Sequence, residues 1–257
     1  MSNHKRRTVL KSVGGVAVVG SLAGCTGAAS DEESTDGSDE EMNDSEEMDG
    51  SEETEMDASL RVAHLSPDAP NVDVYLDGDA VLEDVPYRTV SDYLDLASGS
   101  YEVMITAAGD METVVFDEEL EVPAADITVA AVGELAEKNE PFAVEVYEDD
   151  LSDPGEDARV RLVHAAPDAP AVDVTAGGDA LFEDVSFGEA GAIEVPPDEY
   201  ELDVRPATED NDGDVVATFD VEPEAGVVYS GFAVGYLAPD DAPADEHFDL
   251  ELVVDAE

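Results

Sequence analysis

From residue 60 onward, apolar and polar residues alternate in short runs that break at Gly, Pro and Asp, the pattern of half-buried β-strands. Val72, Val74 and Leu76 share one strand face and run into an Asp77-Gly78 turn. Tyr101, Val103 and Ile105 share another, matched further along by Tyr200, Leu202 and Val204, and Val114, Phe116, Leu120 and Val122 follow. The stretches 127–133 (ITVAAVG) and 227–235 (VVYSGFAVG) are apolar on both faces, which predicts central strands. Phe142, Val144 and Val146 close the first half of this pattern, and Phe248, Leu250, Leu252 and Val254 close the second. About seven strands per half, with no convincing helical period, predict an all-β fold of sandwich type.

The two halves are copies. Residues 61–74 (RVAHLSPDAPNVDV) and 161–174 (RLVHAAPDAPAVDV) agree at nine of 14 positions at an offset of 100. The agreement continues through Gly78-Asp79-Ala80 against Gly178-Asp179-Ala180, and through Glu83-Asp84-Val85 against Glu183-Asp184-Val185. Copies of about 95 residues are domain-sized and too long for solenoid units. The expectation is therefore two tandem immunoglobulin-like β-sandwich domains, 58–150 and 158–257, joined by a linker over 148–157 and preceded by a disordered acidic tether. The second copy has Thr175-Ala176-Gly177 where the first has Tyr75-Leu76-Asp77, which predicts a shorter second strand there.

Composition changes the picture at the N-terminus. The chain has 10 Lys and Arg against 67 Asp and Glu, yet Lys5, Arg6, Arg7 and Lys11 fall in the first eleven positions. Arg6 and Arg7 stand where a twin-arginine export signal places its pair. The apolar run over 12–24 has 13 residues, too short for the ~20 of a spanning helix, and it ends in Leu22-Ala23-Gly24-Cys25, which resembles a lipobox. Residues 1–24 are thus read as a lipoprotein signal peptide, cut before Cys25, the only cysteine of the chain, which takes the lipid. That places the rest at the outer face of the cytoplasmic membrane, with the membrane as a partner through the lipid on Cys25.

Residues 26–57 carry 15 acids, no base and no aromatic residue. Such a segment buries too little apolar surface to offset chain entropy and is expected to act as a spacer over 25–57. It contains Asn43-Asp44-Ser45, an acceptor pattern that makes Asn43 a candidate N-glycosylation site. From Cys25 onward the formal charge is 6 − 67 = −61, spread over both copies and the tether. Self-repulsion of that size opposes compaction unless salt screens it, and at about 1 M the Debye length is only about 3 Å. The composition therefore implies work in concentrated salt, and the absence of a basic patch excludes nucleic-acid binding.

Candidate chemistry is confined to the repeated HxxPDAPxVDV element. His64, Asp68 and Asp73 in the first copy, and His164, Asp168 and Asp173 in the second, combine an imidazole with two carboxylates, a set able to hold a divalent cation or to line a ligand pocket. The alternation gives a third reading. Leu60, Val62 and His64 share parity, as do Leu162 and His164, so each imidazole points inward and bonds the Pro-Asp-Ala-Pro turn, while Asp before Ala-Pro caps backbone N–H groups. No phosphate loop, HExxH, GxSxG or cysteine nucleophile occurs, so no catalytic residue, resident metal or cofactor is assigned. His247 has no counterpart in the first copy and is expected at the surface.

The HxxPDAPxVDVYxDG element, the SGSYEVMIT segment (98–106) and the VYSGFAVG segment (228–235) resemble the family called domain of unknown function 4397. The resemblance spans nearly all of 58–257 and implies a cell-surface β-sandwich of the kind found in tandem on exported and lipid-anchored proteins of haloarchaea and bacteria. It carries over no catalytic residue. The function expected is a non-catalytic surface module for adhesion, envelope structure or ligand binding, with a protein or glycan partner. The alternative is a solute-binding component or hydrolase, which needs a deep pocket with convergent polar groups.

Overall fold

A computed structural model describes residues 56–257, and among them there are 17 β-strands, one 3-10 turn (Pro239–Asp241) and no α-helix. The first copy places β2 (Val72–Leu76), β3 (Asp79–Val85), β6 (Gly99–Ala107) and β7 (Asp110–Val122) in one antiparallel sheet of order β3-β2-β6-β7. Its second sheet contains β1 (Ala58–His64), β4 (Thr89–Val90), β5 (Leu94–Leu96), β8 (Asp126–Val132) and β9 (Ala143–Glu148). There β1 runs parallel to β8 and takes the two short strands β4 and β5 on its other side.

The second copy repeats this plan. Strands β11 (Val172–Ala176), β12 (Asp179–Val185), β14 (Tyr200–Pro206) and β15 (Ala217–Val221) form the sheet β12-β11-β14-β15. Strands β10 (Ala158–His164), β13 (Ala190–Val195), β16 (Val228–Val234) and β17 (Asp249–Ala256) form β13-β10-β16-β17, with β10 parallel to β16. The all-β double sandwich is the expected one, with nine strands in the first copy and eight in the second rather than about seven in each: β4 and β5 together occupy one edge position that β13 fills alone.

The hairpin between β2 and β3 turns on Asp77 and Gly78, with φ of 51° and 87°. A two-residue turn that matches strand twist needs φ > 0 at both positions. In the second copy Gly177 and Gly178 meet the same demand at 59° and 93°. For that reason β11 is as long as β2, five residues each, and the expected shortening at Thr175-Ala176-Gly177 does not occur.

Each sandwich closes over its own core. Leu60 and Val62, Val72 and Val74, Val103 and Ile105, and Ile127 and Val129 meet in the first, and Leu162, Val172, Val174, Phe182, Val204 and Ala233 in the second. A third core lies between the copies: Ala63, Leu65, Ala130 and Val132 pack against Val163, Ala165, Phe232 and Val234. The sheets containing β1/β8 and β10/β16 thus lie back to back, and the described residues belong to one compact unit. This accounts for the nearly continuous apolar runs of β8 and β16, which bury one face inside a sandwich and the other against the neighbouring copy. The stretch expected as linker is partly structural, since Glu148 ends β9 and the side chain of Asp149 is only 1% exposed.

Candidate functional site

The repeated histidines end β1 and β10 and are fully buried. Nε2 of His64 lies 3.0 Å from the carbonyl oxygen of Pro70, and Nε2 of His164 lies 3.0 Å from that of Pro170. The Ala166 N–H donates to His164 Nδ1 at 3.3 Å, which leaves the ring proton on Nε2 to donate to the proline carbonyl. Burial lowers the pKa of both imidazoles from the ordinary 6.5, and the proline carbonyl opposes the shift only in part. Both rings are therefore neutral near pH 7.

The aspartates take backbone donors. Asp68 accepts the N–H groups of Leu135 and Ala136, both at 2.8 Å, and Asp168 accepts those of Leu237 and Ala238, both at 2.9 Å. Each carboxylate ties the Pro-Asp-Ala-Pro turn to the loop leaving β8 or β16. That loop begins at Gly133 or Gly235, with φ of 78° and 79°, where a Cβ would collide with the carbonyl of Pro141 or His247. Asp73 accepts N–H bonds from Asp84 and Gly109 at 2.8 Å, and these hold its carboxyl below the usual carboxylate range. Asp173 accepts from Asp184 and Thr208 at 2.9 Å. The six repeated side chains thus bond turns and loops rather than converge on one centre. Among the described residues no group of three or more His, Cys, Asp or Glu is placed to hold a metal ion.

A second polar constellation lies between the copies, and the sequence analysis did not single it out. Arg61 and Arg161 sit on the faces of β1 and β10 opposite the histidines. Arg61 donates to Thr128 Oγ1 at 2.8 Å, to Ser230 Oγ at 3.1 Å and to Asp255 at 2.7 Å. Arg161 donates to Ser230 Oγ at 2.7 Å, to Thr128 Oγ1 at 3.2 Å and to Asp149. Thr128 and Ser230 in turn donate to Asp149 and Asp255, at 2.7 and 2.6 Å. The contacts are reciprocal: each copy's arginine pairs with the other copy's aspartate, as in an isologous interface.

The Arg61, Asp149 and Asp255 side chains are 1–3% exposed and that of Arg161 is 11% exposed. The guanidinium of Arg61 lies 4.9 Å from the ring centroid of Tyr93, whose hydroxyl donates to Asp149 at 2.7 Å. Burial, reinforced by that carboxylate, pushes the Tyr93 phenol far above its usual range. Two cations and two anions close into a neutral, fully bonded group, which fits a fastener between sheets and offers no free nucleophile or base. The signal was present: arginine recurs at offset 100 in a chain with few basic residues. Its acidic partners fell in the expected linker and the last strand, where one acid among 67 draws no notice.

His247 is 80% exposed, as expected of a surface residue, and lies 3.9 Å from Asp245. Arg6, Arg7, Cys25 and Asn43 fall outside the described residues.

The profile of the family described as Domain of unknown function (DUF4397) matches residues 58–175 and again 158–255. The chain belongs to that family. The two matched segments overlap over 158–175, the start of the second copy, and together take in both sandwiches of this DUF4397 protein. No curated protein matches it. Among solved structures, the family 26 carbohydrate-binding module CBMbc of Eubacterium rectale Amy13K, solved with maltoheptaose, matches at 10% identity. That match covers 76% of this chain and 95% of the module, with a TM-score of 0.23. The Bacillus anthracis TIE protein matches at 13% identity over 69% of this chain, also at a TM-score of 0.23, and the match spans about a third (33%) of that chain. Likenesses this distant carry no argument about ligand or activity.

Proposed function

We propose that this DUF4397 protein is a non-catalytic module of the cell surface, held by lipid on Cys25 at the outer face of the cytoplasmic membrane and raised from it by the acidic segment 26–57. The observation that carries the reading is the use made of the duplicated element. Its polar side chains, the part most alike in the two copies, are spent on backbone donors and carbonyls that brace turns. What duplication has kept is a framework, and its product is one compact body with two quasi-equivalent outer sheets. Such a body suits adhesion, envelope structure or ligand capture, with a protein or glycan as partner.

The charge balance supports operation in concentrated salt. All five arginines among the described residues pair with carboxylates, which leaves most of the acids without a cationic partner. The anchoring half of the proposal is tested by membrane fractionation of Cys25→Ser and of Arg6→Lys with Arg7→Lys. The first is expected to release the chain into the medium or leave its signal uncut, and the second to hold the full-length precursor in the cytoplasm. Membrane attachment of processed Cys25→Ser at the wild-type level overturns the lipoprotein reading.

A further inference from the structure

Among the described residues, five buried side-chain polar atoms have no hydrogen-bond partner, and four of them gather in one place: His64 Nδ1, Tyr87 Oη, Arg88 Nε and Tyr236 Oη. The place lies beside the apolar core shared by the copies, against which Tyr87 packs. The His64 and Tyr87 rings stand edge to face with centroids 6.1 Å apart, and the Arg88 guanidinium lies 5.6 Å from the Tyr87 ring centre. Tyr236 comes from the second copy, is fully buried, and turns its hydroxyl toward Glu134 of the first, itself fully buried. Burial pushes the Tyr87 phenol up to about 12 and the Tyr236 phenol far above its usual range. The charges that act on them besides are those of Arg88 and Glu246 at Tyr87, and of Glu134 and Asp68 at Tyr236. Folded proteins leave few buried polar atoms unpaired, so four together call for a common partner.

The second copy is apolar at the matched positions. Phe187 stands for Tyr87 against His164, with ring centroids 6.2 Å apart, while Gly188 stands for Arg88 and Ala166 for Ser66. His164 Nδ1 there takes the Ala166 N–H. Arg88 has a φ of 67° where Gly188 has 77°. A side chain in that left-handed region strains the backbone, and Arg88 is held there by bonds to Asp249 at 2.8 Å and to the His247 carbonyl at 2.9 Å. Glu134 and Tyr236 also occupy equivalent places, one residue past Gly133 and Gly235. Glu134 accepts the N–H groups of Lys138 and Asn139 at 2.9 and 2.8 Å and the Asn139 amide at 2.7 Å. The first copy thus carries polar groups and a strained backbone where the second keeps the same turn without either.

The surrounding charges select what can join these atoms. The carboxylates of Glu134, Asp68, Glu246 and Asp249 disfavour an anion, and the Arg88 guanidinium disfavours a cation. Both hydroxyls and Arg88 Nε offer donors, and His64 Nδ1 offers an acceptor, because Nε2 must carry the proton given to the Pro70 carbonyl. A neutral molecule that donates and accepts at once meets both demands, and the burial of Tyr236 limits its size to that of water. We propose that the junction contains a water-binding site, on the first copy's side only, in which water bridges Tyr87 and Arg88 of the first copy to Tyr236 of the second. The site is a polar tie between the copies, separate from the Arg61 and Arg161 pairs. This inference does not depend on membrane anchoring.

The test pairs high-resolution diffraction with calorimetry on the full-length chain in molar salt. In crystals grown with KBr in place of KCl, density within roughly 2.5–3.2 Å of both tyrosine hydroxyls is expected, without anomalous signal from bromide. No such density, or a bromide peak there, overturns the proposal. By calorimetry, Tyr87→Phe and Tyr236→Phe are each expected to lower Tm by about 2–6 °C, because losing one hydroxyl releases the water and orphans the other. The double variant is expected to lose no more than the larger single loss. Phe187 shows that the turn accepts phenylalanine, so the Tyr87 variant keeps the fold. An unchanged or raised Tm for either variant, as for a hydroxyl buried dry, overturns the proposal. So does a double loss exceeding the larger single loss, as for hydroxyls with separate partners. The diffraction measurement stands on the wild type whether or not the variants fold.

Discussion

Replacing Arg61 with methionine keeps most of the side-chain volume and removes one guanidinium from the junction of the copies. Asp255, 3% exposed, then loses its partner at 2.7 Å and keeps only the Ser230 hydroxyl. Charge centres about 4 Å apart interact by about 4 kcal/mol at an effective dielectric constant of 20. Breaking a buried pair on one side costs about 3–5 kcal/mol, because the remaining charge stays out of water. For a body of this size about 1 kcal/mol shifts Tm by about 2–4 °C, so a fall of roughly 6–20 °C is expected. Scanning calorimetry in molar KCl reads it directly. Because the pair is buried, the loss should hardly change between 1 M and 4 M KCl. Two controls sharpen the test. Arg159→Met removes pairs to Asp150 and Glu194, which are 65% and 51% exposed, and should cost no more than about 1 kcal/mol. Arg61→Met combined with Asp255→Leu removes both charges and should regain most of the loss. A single-variant cost below about 1 kcal/mol, or a double variant no more stable than the single, refutes the claim that these pairs fasten the copies.

Two further outcomes follow from the same structure. The folded-state pKa of His64 and His164 lies below 6.5, so the unfolded chain binds protons first: their contribution is complete above pH 6.5 and is lost as pH falls from there toward the lowered values, by up to about 2.7 kcal/mol per pH unit for two protons. Urea midpoints between pH 7.5 and 5 should fall for wild type and stay flat across this window for His64→Gln with His164→Gln; parallel curves refute the assignment. On dilution from molar to ~0.1 M salt the Debye length grows from about 3 to about 10 Å, and cooperative unfolding should disappear; a melt unchanged by dilution refutes salt dependence.

Within one copy, period-2 patterning and turn chemistry are local, so they can be read in order along the chain. Val72, Val74 and Leu76 lie on β2 as the alternation requires, and His64 points inward because it shares parity with Leu60 and Val62. Even the Pro70 carbonyl is only six residues from its histidine. The partners of Asp68 are a different matter. Leu135 and Ala136 lie 67 and 68 residues away, and nothing in the alternation of β8 says which turn its exit loop will meet.

The sequence by itself determined the β-class, the duplication, the strand faces and the inward histidines, because each rests on spacing within a strand or identity between copies. Tertiary structure alone decided how the copies meet. A strand apolar on both faces demands cover on both, and β8 and β16 state that demand without naming what meets it. Packing the two sheets back to back answered it, and only then did Arg61 find Asp255, 194 residues away, and Arg161 find Asp149.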